Sequence, residues 1–260
     1  MYRSRHRRTL FHLNLARALN SSWAYSLGAH IGFQASADAQ TQASLNGASH
    51  GSSADIRTSI KPTLGGIFSL SYKYKKKRIT SFTYQQVMQS NLKAKARGEI
   101  NDPTATLFNI NLENMIYYDP HIFRLAHKER FSFFEIQSTL EHQIWSSYKS
   151  PVIRIRDNGG VLLPSDDFEN IQTKNIWISK LGVIIHVTEK LSTSLGLAFR
   201  PSPLDGDFSG NGNSIDSDKW MVSIGSSYAL NFWERDFLFS SSLQYHKLKD
   251  KNVVKSPGQE

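Results

Sequence analysis

The stretch that decides the fold is Ala24–Asp38, AYSLGAHIGFQASAD. Its odd positions are Tyr25, Leu27, Ala29, Ile31, Phe33, Ala35 and Ala37. Its even positions are Ala24, Ser26, Gly28, His30, Gly32, Gln34, Ser36 and Asp38. Side chains of a strand alternate between two faces, so one face here is apolar and the other small or polar. Strands in soluble sheets usually run about five or six residues, and this alternation holds for fifteen. A wall with lipid on one side and a lumen on the other requires that pattern at that length.

The pattern recurs along the chain. Lys61–Tyr74 sets Leu64, Phe68, Leu70, Tyr72 and Tyr74 against Thr63, Ser69, Ser71 and Lys73. Ser132–Tyr148 sets Phe134, Ile136, Leu140, Ile144 and Tyr148 against Glu135, Gln137, Thr139, Glu141 and Gln143. Leu191–Arg200 presents Leu191, Leu195, Leu197 and Phe199. Trp220–Leu230 presents Trp220, Val222, Ile224, Tyr228 and Leu230. Around Trp177–Val187 both faces are apolar, with Ile176, Ile178 and Ile184 opposed to Leu181, Val183 and Ile185. A bulge that shifts the phase is expected there.

The connections alternate in length. Tight turns are expected near Asn20–Trp23, Lys75–Arg78, Lys128–Arg130, Thr188–Lys190 and Asn231–Asp236. Longer polar links are expected at Ala39–Thr58, Gly98–Asn111, Lys149–Gln172 and Pro201–Asp218. Short turns on one side and long loops on the other are the habit of outer-membrane barrels, whose turns face the periplasm. About ten strands follow, near 7–19, 24–38, 59–74, 79–97, 112–127, 131–148, 173–187, 191–200, 219–230 and 237–248. Asp119-Pro120 interrupts the fifth, because proline lacks the N–H a ladder needs. Aromatic residues gather beside the turns: Trp23, Tyr25, Tyr72, Tyr74, Phe131, Phe133, Tyr228, Phe232, Trp233 and Phe237. Such rings favour a membrane interface. The expected fold is all-β, an antiparallel up-and-down transmembrane barrel.

Composition agrees by exclusion. The 260 residues are 39% hydrophobic, and no run approaches the roughly 20 apolar residues of a membrane helix. The net charge of +9 raises nucleic acid as a partner. Much of the excess, however, sits in Arg3, Arg5, Arg7 and Arg8 and in Lys73–Arg78, without a basic helix or an aromatic-interleaved motif. A solvated turn or a lipid-headgroup contact is the better reading, and no nucleic-acid partner is expected. There is no cysteine, which removes disulfides and thiol chemistry. Thr9–Leu19 alternates where the core of an export signal would be continuous apolar sequence. The expectation is therefore a piece of a longer barrel.

Little in the chain speaks for catalysis. Glu141, His142 and Ser146 share one expected strand, but Glu141 and His142 must point to opposite faces. The glycines Gly206, Gly210 and Gly212 match neither the P-loop nor the dinucleotide spacing. Asp205, Asp207, Asp216 and Asp218 fall in one loop and raise calcium, weighed against ordinary loop chemistry. No cofactor or metal is expected. The polar faces carry His30, Asp38, Glu135, Glu141 and Arg200 among small residues. Of these, His30, Glu135, Glu141 and Arg200 are the lumen-facing candidates for contact with a ligand.

The stretch Leu197–Ala229 resembles the long-chain fatty acid transporters of the outer membrane. The resemblance lies in Phe199-Arg200-Pro201-Ser202-Pro203, a strand end, then a polar loop leaving through Asp216-Ser217-Asp218. The strand Trp220-Met221-Val222-Ser223-Ile224-Gly225 follows. Lys190-Leu191-Ser192 looks like that family's turn, and Trp145-Ser146-Ser147-Tyr148 is similar more weakly. The resemblance implies a monomeric fourteen-stranded barrel, plugged by an N-terminal hatch, that admits fatty acids or other apolar molecules. These would be caught among the outer loops and released sideways through the wall. The signal, the hatch with its asparagine-containing motif, about three first strands and the last strand have no counterpart in residues 1–260. The expected partners are hydrophobic small molecules such as long-chain fatty acids, and outer-membrane lipid. Two other readings stay open: a different outer-membrane barrel (porin, adhesin or lipid-modifying enzyme) or a soluble β-barrel binding module.

Overall fold

The computed structural model describes residues 9–46, 49–75, 77–100, 108–148, 154–157, 172–204, 216–232 and 235–250. They contain thirteen strands and no helix. In chain order these are β1 (Phe11–Ala18), β2 (Trp23–Asn46), β3 (Ser49–Tyr74), β4 (Arg78–Gln85), β5 (Met88–Ile100), β6 (Phe108–Asp119) and β7 (His121–Arg130). Then come β8 (Phe134–Ile144), β9 (Arg154–Asp157), β10 (Ile176–His186), β11 (Leu191–Arg200), β12 (Lys219–Phe232) and β13 (Arg235–Leu248). All join one sheet in the order β13-β12-β11-β10-β8-β7-β4-β3-β2-β5-β6-β9, with β1 on β2. Every pairing is antiparallel except β2 with β5.

Local chemistry sets the short turns. The Asn20 side chain accepts the N–H groups of Ser22 and Trp23, both at 2.8 Å, an Asx turn that reverses β1 into β2. Lys75 takes the left-handed conformation at φ 47° between β3 and β4. Thr188 Oγ1 accepts from Lys190 and Leu191 between β10 and β11. The turn expected at Lys128–Arg130 lies three residues later, because β7 runs to Arg130 so that Arg130 stands opposite Glu135.

The two faces of the sheet follow the alternation. Leu27, Phe33, Leu64, Phe68, Leu195 and Leu197 all point to one face and are exposed, while Ile31, Leu70 and Phe199 share that face half-exposed. No buried core forms from them. The buried apolar residues are Met88, Tyr118, Ile176, Ile178 and Leu204, none of which belongs to that outer set. A broad apolar face left open is what a lipid-facing wall looks like without its lipid.

Four expectations need correction. The link Ala39–Thr58 is strand: β2 and β3 pair without interruption from Trp23↔Tyr72 to Asn46↔Ser49. At about 3.3 Å per residue, strands of 24 and 26 residues extend roughly 80 Å, well beyond a span of about ten residues. The expected strand 79–97 divides at Gln86-Val87, and 112–127 divides at Pro120. Simple neighbour-to-neighbour order fails there, since β4 pairs β7 while β5 pairs β6 and β2. Finally, β10 runs in continuous register with both neighbours, so both of its faces are apolar without a bulge. The register shift falls in the β5–β6 pair at Ser90/Asn91 instead.

A floor of glycines lets β5 depart. Gln86 N–H donates to Gly66 O at 2.8 Å, and the Gln86 side chain accepts from Gly66 N–H at 3.1 Å. The chain then passes over the polar face of β3 and β2. A Cβ at Gly65 would stand 3.3 Å from that of Met88, and one at Gly32 would collide with the Tyr117 hydroxyl. Tyr117 shares a 2.8 Å hydrogen bond with Thr63, and Ser90 Oγ donates to Phe33 O. β1 occupies the edge of β2 only over Ala24–Ile31, and β5 takes the same edge over Ser36–Ala43. The β5–β6 hairpin is thus a strap across the loop-side rim.

The strands β1 and β13 each have one neighbour among the described residues. They correspond to the strands expected near 7–19 and 237–248 and are edges of the sheet, as is the short β9 on β6.

Candidate functional site

The polar face is built from the even positions of β2, β7 and β10 and the odd positions of β3, β4 and β8, as the cross-strand partners require. His30, Glu135, Glu141 and Arg200 all belong to it. They do not form one cluster.

Glu141, only 4% exposed, accepts Arg124 Nε and Nη2, both at 2.9 Å, on one oxygen. Lys180 Nζ stands 3.6 Å from the same oxygen. The other oxygen accepts the Gln143 amide at 2.6 Å, and Gln143 in turn accepts the Trp145 indole N–H at 2.8 Å. Each strand contributes by register: Arg124↔Glu141 across β7–β8 and Ile178↔Glu141 across β8–β10. Nearer the short turn, Glu135 accepts Lys128 at 2.7 Å and Gln137 at 2.6 Å. A buried carboxylate is tolerated when its lone pairs are filled this way. Arg124, Lys128, Arg130 and Lys180 against Glu135 and Glu141 leave this part of the polar face with a cationic surplus.

Arg200 lies elsewhere, at the loop end of β11, where its guanidinium grips both oxygens of Asp216 at 3.1 and 3.0 Å. Asp218 accepts the Ser202 N–H, and Ser202 Oγ accepts the Leu204 N–H. Both described aspartates of the supposed calcium set are thereby engaged; Asp205 and Asp207 lie outside the described residues, as do Gly206, Gly210 and Gly212. Among the described residues no group of His, Cys, Asp and Glu is placed to hold a metal. His30 stacks obliquely on His12 of β1, with ring centroids 4.7 Å apart. Asp38 is described only through its strand position. His142 faces the apolar side, stacked on Trp177 at 4.3 Å, so Glu141, His142 and Ser146 assemble no relay.

The loop-side rim is the apolar part of the site. Tyr118 packs on Trp145 and Tyr148, with centroids 5.8 and 5.7 Å away, and donates to Ile144 O at 3.3 Å. Ile176, directly opposite Gln143, is buried, as are Ile178 and Leu204. Thr173 bridges Leu204, and its hydroxyl donates to Trp145 O at 2.6 Å. Burial pushes the Tyr148 phenol above its ordinary range. Aromatic rings and isoleucines at the mouth, followed inward by cations, suit a molecule with an apolar body and an anionic end.

Sequence reasoning missed Arg124, Lys128, Lys180, Tyr118 and Trp145 as members of this site. Strand parity alone could have placed Lys180 on the face of Ile176 and Ile178. Arg124 was hidden behind the Pro120 break.

No protein-family model matches the chain, and no curated protein matches it in sequence. Solved structures match its fold. A Pseudomonas aeruginosa FadL homologue superposes with a TM-score of 0.61 at 14% identity, over 92% of this chain and 59% of that one. Weaker likenesses reach the CymD monoaromatic hydrocarbon channel (TM-score 0.49, 13% identity, 92% of this chain and 69% of that one). The P. putida toluene transporter TodX is similar at a TM-score of 0.47 (10% identity, 94% and 70%). The fold is that of the FadL-type β-barrel, and the chain spans 59% of the length of the Pseudomonas aeruginosa homologue.

Proposed function

We propose that residues 1–260 form most of the wall of an outer-membrane channel for hydrophobic compounds, of the long-chain fatty acid transporter family. The observation that carries this reading is the division of the sheet into an open apolar face and a polar face whose mouth is aromatic. Among cargoes, a long-chain fatty acid fits best. Tyr118, Trp145, Tyr148 and Ile176 offer contact to an acyl chain, and Arg124 and Lys180 stand ready for a carboxylate once Glu141 shares them. An uncharged aromatic hydrocarbon would leave that cationic surplus without purpose. Passage is passive and needs no cofactor. The working unit is one copy, its edges β1 and β13 covered by further strands, since open edges are costly in lipid.

The test is uptake of radiolabelled oleate by cells lacking their own fatty acid channel. The chain is expressed in them behind an export signal, with and without the remaining strands of a FadL-type barrel. Oleate uptake above background in the cells that carry the added strands, reduced by Arg124→Ala with Lys180→Ala, and little uptake with residues 1–260 alone, is the expected result. Equal entry of oleate and small hydrophilic solutes would identify a water-filled porin instead.

A further inference from the structure

We propose that the β3–β4 turn is a binding site for anionic phospholipid headgroups in the leaflet on the short-turn side of the wall. It rests on the outer face meeting lipid, and on nothing about the cargo.

Lys75 and Lys77 are exposed two residues apart in the turn, and no acidic side chain pairs with them among the described residues; Lys73, an odd position of β3, belongs to the polar face. Glu129, the acid nearest this turn, is held by Arg78, whose Nε lies 2.6 Å from its carboxylate. His127 approaches the same carboxylate at 4.0 Å. The lysines therefore present charge that nothing in the described fold neutralises. The other described short turns do not: residues 19–22 carry no charge, 131–133 none, and 187–190 balance Glu189 against Lys190.

Depth is set by the neighbouring rings. Trp23 and Tyr72, 4.6 Å apart, lie with Tyr74 on the apolar face at this end of β2 and β3. Rings of this type settle at headgroup level. Lys75 Nζ lies 5.2 Å from the centre of the Tyr74 ring, so the ammonium rests directly beyond that level. The Lys75 backbone is held in the left-handed turn, and Arg130 N–H donates to Lys77 O at 2.8 Å. Two ammonium groups without an acidic partner at the phosphate plane are suited to a phosphodiester. Each such lysine strengthens attraction to an anionic surface about fivefold, and two on the order of thirtyfold.

The experiment is native mass spectrometry of the full chain folded in detergent, titrated with dioleoyl-phosphatidylglycerol or dioleoyl-phosphatidylcholine. Phosphatidylglycerol should be retained selectively. Lys75→Gln with Lys77→Gln should weaken its retention on the order of thirtyfold, whereas arginine at both positions should preserve it. Lys219→Gln with Lys247→Gln removes equal charge at the opposite rim and should change little. Should the double glutamine variant of the turn fail to fold, Lys75→Gln alone should weaken retention about fivefold. Equal retention of the two lipids, or equal loss in the two double variants, would overturn the proposal. Because no cargo is present, its failure and a failure of fatty acid uptake are separate results.

Discussion

Arg124 and Glu141 face one another across the β7–β8 ladder, and both guanidinium contacts, each 2.9 Å, fall on a single carboxylate oxygen. The other oxygen is occupied by Gln143, so the carboxylate is fully engaged while its side chain is 4% exposed. The arrangement ties β7, β8 and β10 together on the polar face, because Lys180 of β10 approaches the same group.

Glu141→Ala should therefore destabilise the folded chain by about 2 kcal/mol. It leaves Arg124, Gln143 and Lys180 without their shared acceptor. Glu141→Gln should cost less, since an amide oxygen still accepts from Arg124. Urea titration of the refolded protein measures both. Equal midpoints for Ala and Gln would show that the ladder is held by something other than this carboxylate.

The strap gives a second prediction. Gly32→Ala places a Cβ against the Tyr117 hydroxyl and must break the Thr63–Tyr117 hydrogen bond, a loss of about 1–2 kcal/mol. Tyr117→Phe removes both the bond and the obstruction. Gly32→Ala should then cost less when combined with Tyr117→Phe than in the parent, a coupling that a double-mutant cycle reads directly. Limited proteolysis between β5 and β6 should be faster in Gly32→Ala alone.

Which face a residue takes was legible from sequence, because parity is local: once Leu27 points outward, His30 points inward. The turns were legible for the same reason, since Asn20 and Thr188 act on their own neighbours. The strap was not. It depends on Gly65 and Gly32 lying beneath Met88 and Tyr117, and those contacts join residues far apart in sequence. The ribbon beyond Asp38 was missed because a strand pair that stands clear of the membrane need not alternate. The partners of Glu141 depend on cross-strand register, which no single strand encodes.

The outer face supplies a third prediction. Leu27 and Leu195 are about half exposed and lie in the middle of spanning strands. Arginine at either position should cost about 2–4 kcal/mol for folding into lipid vesicles, the range for a charge near the bilayer midplane. Arginine at Ser227, on the opposite face, should cost far less, because Ser227 meets Ser240 rather than lipid. Equal costs at Leu195 and Ser227 would mean that the two faces share one environment.

The edges give the last. Residues of β1 and β13 are exposed along their whole described lengths, and each strand is bonded on one side alone among the described residues. An unpaired backbone group in hydrocarbon costs several kcal/mol, so a wall with two such edges inserts poorly by itself. Residues 1–260 alone should consequently fold into vesicles with low yield and without the heat-resistant mobility of a closed barrel. Adding further strands of a FadL-type barrel, as a fused segment or a separate chain, should raise both. Protection of β1 and β13 amides from hydrogen exchange would rise with them, while amides of β7, β8 and β10 would be protected in either case. If β1 and β13 were already protected in the chain alone, they would have to be paired, either with each other or with a second copy. Cross-linking cysteines placed at Asn14 and Ser242 distinguishes the two, since closure within one chain links intramolecularly and a dimer links between chains.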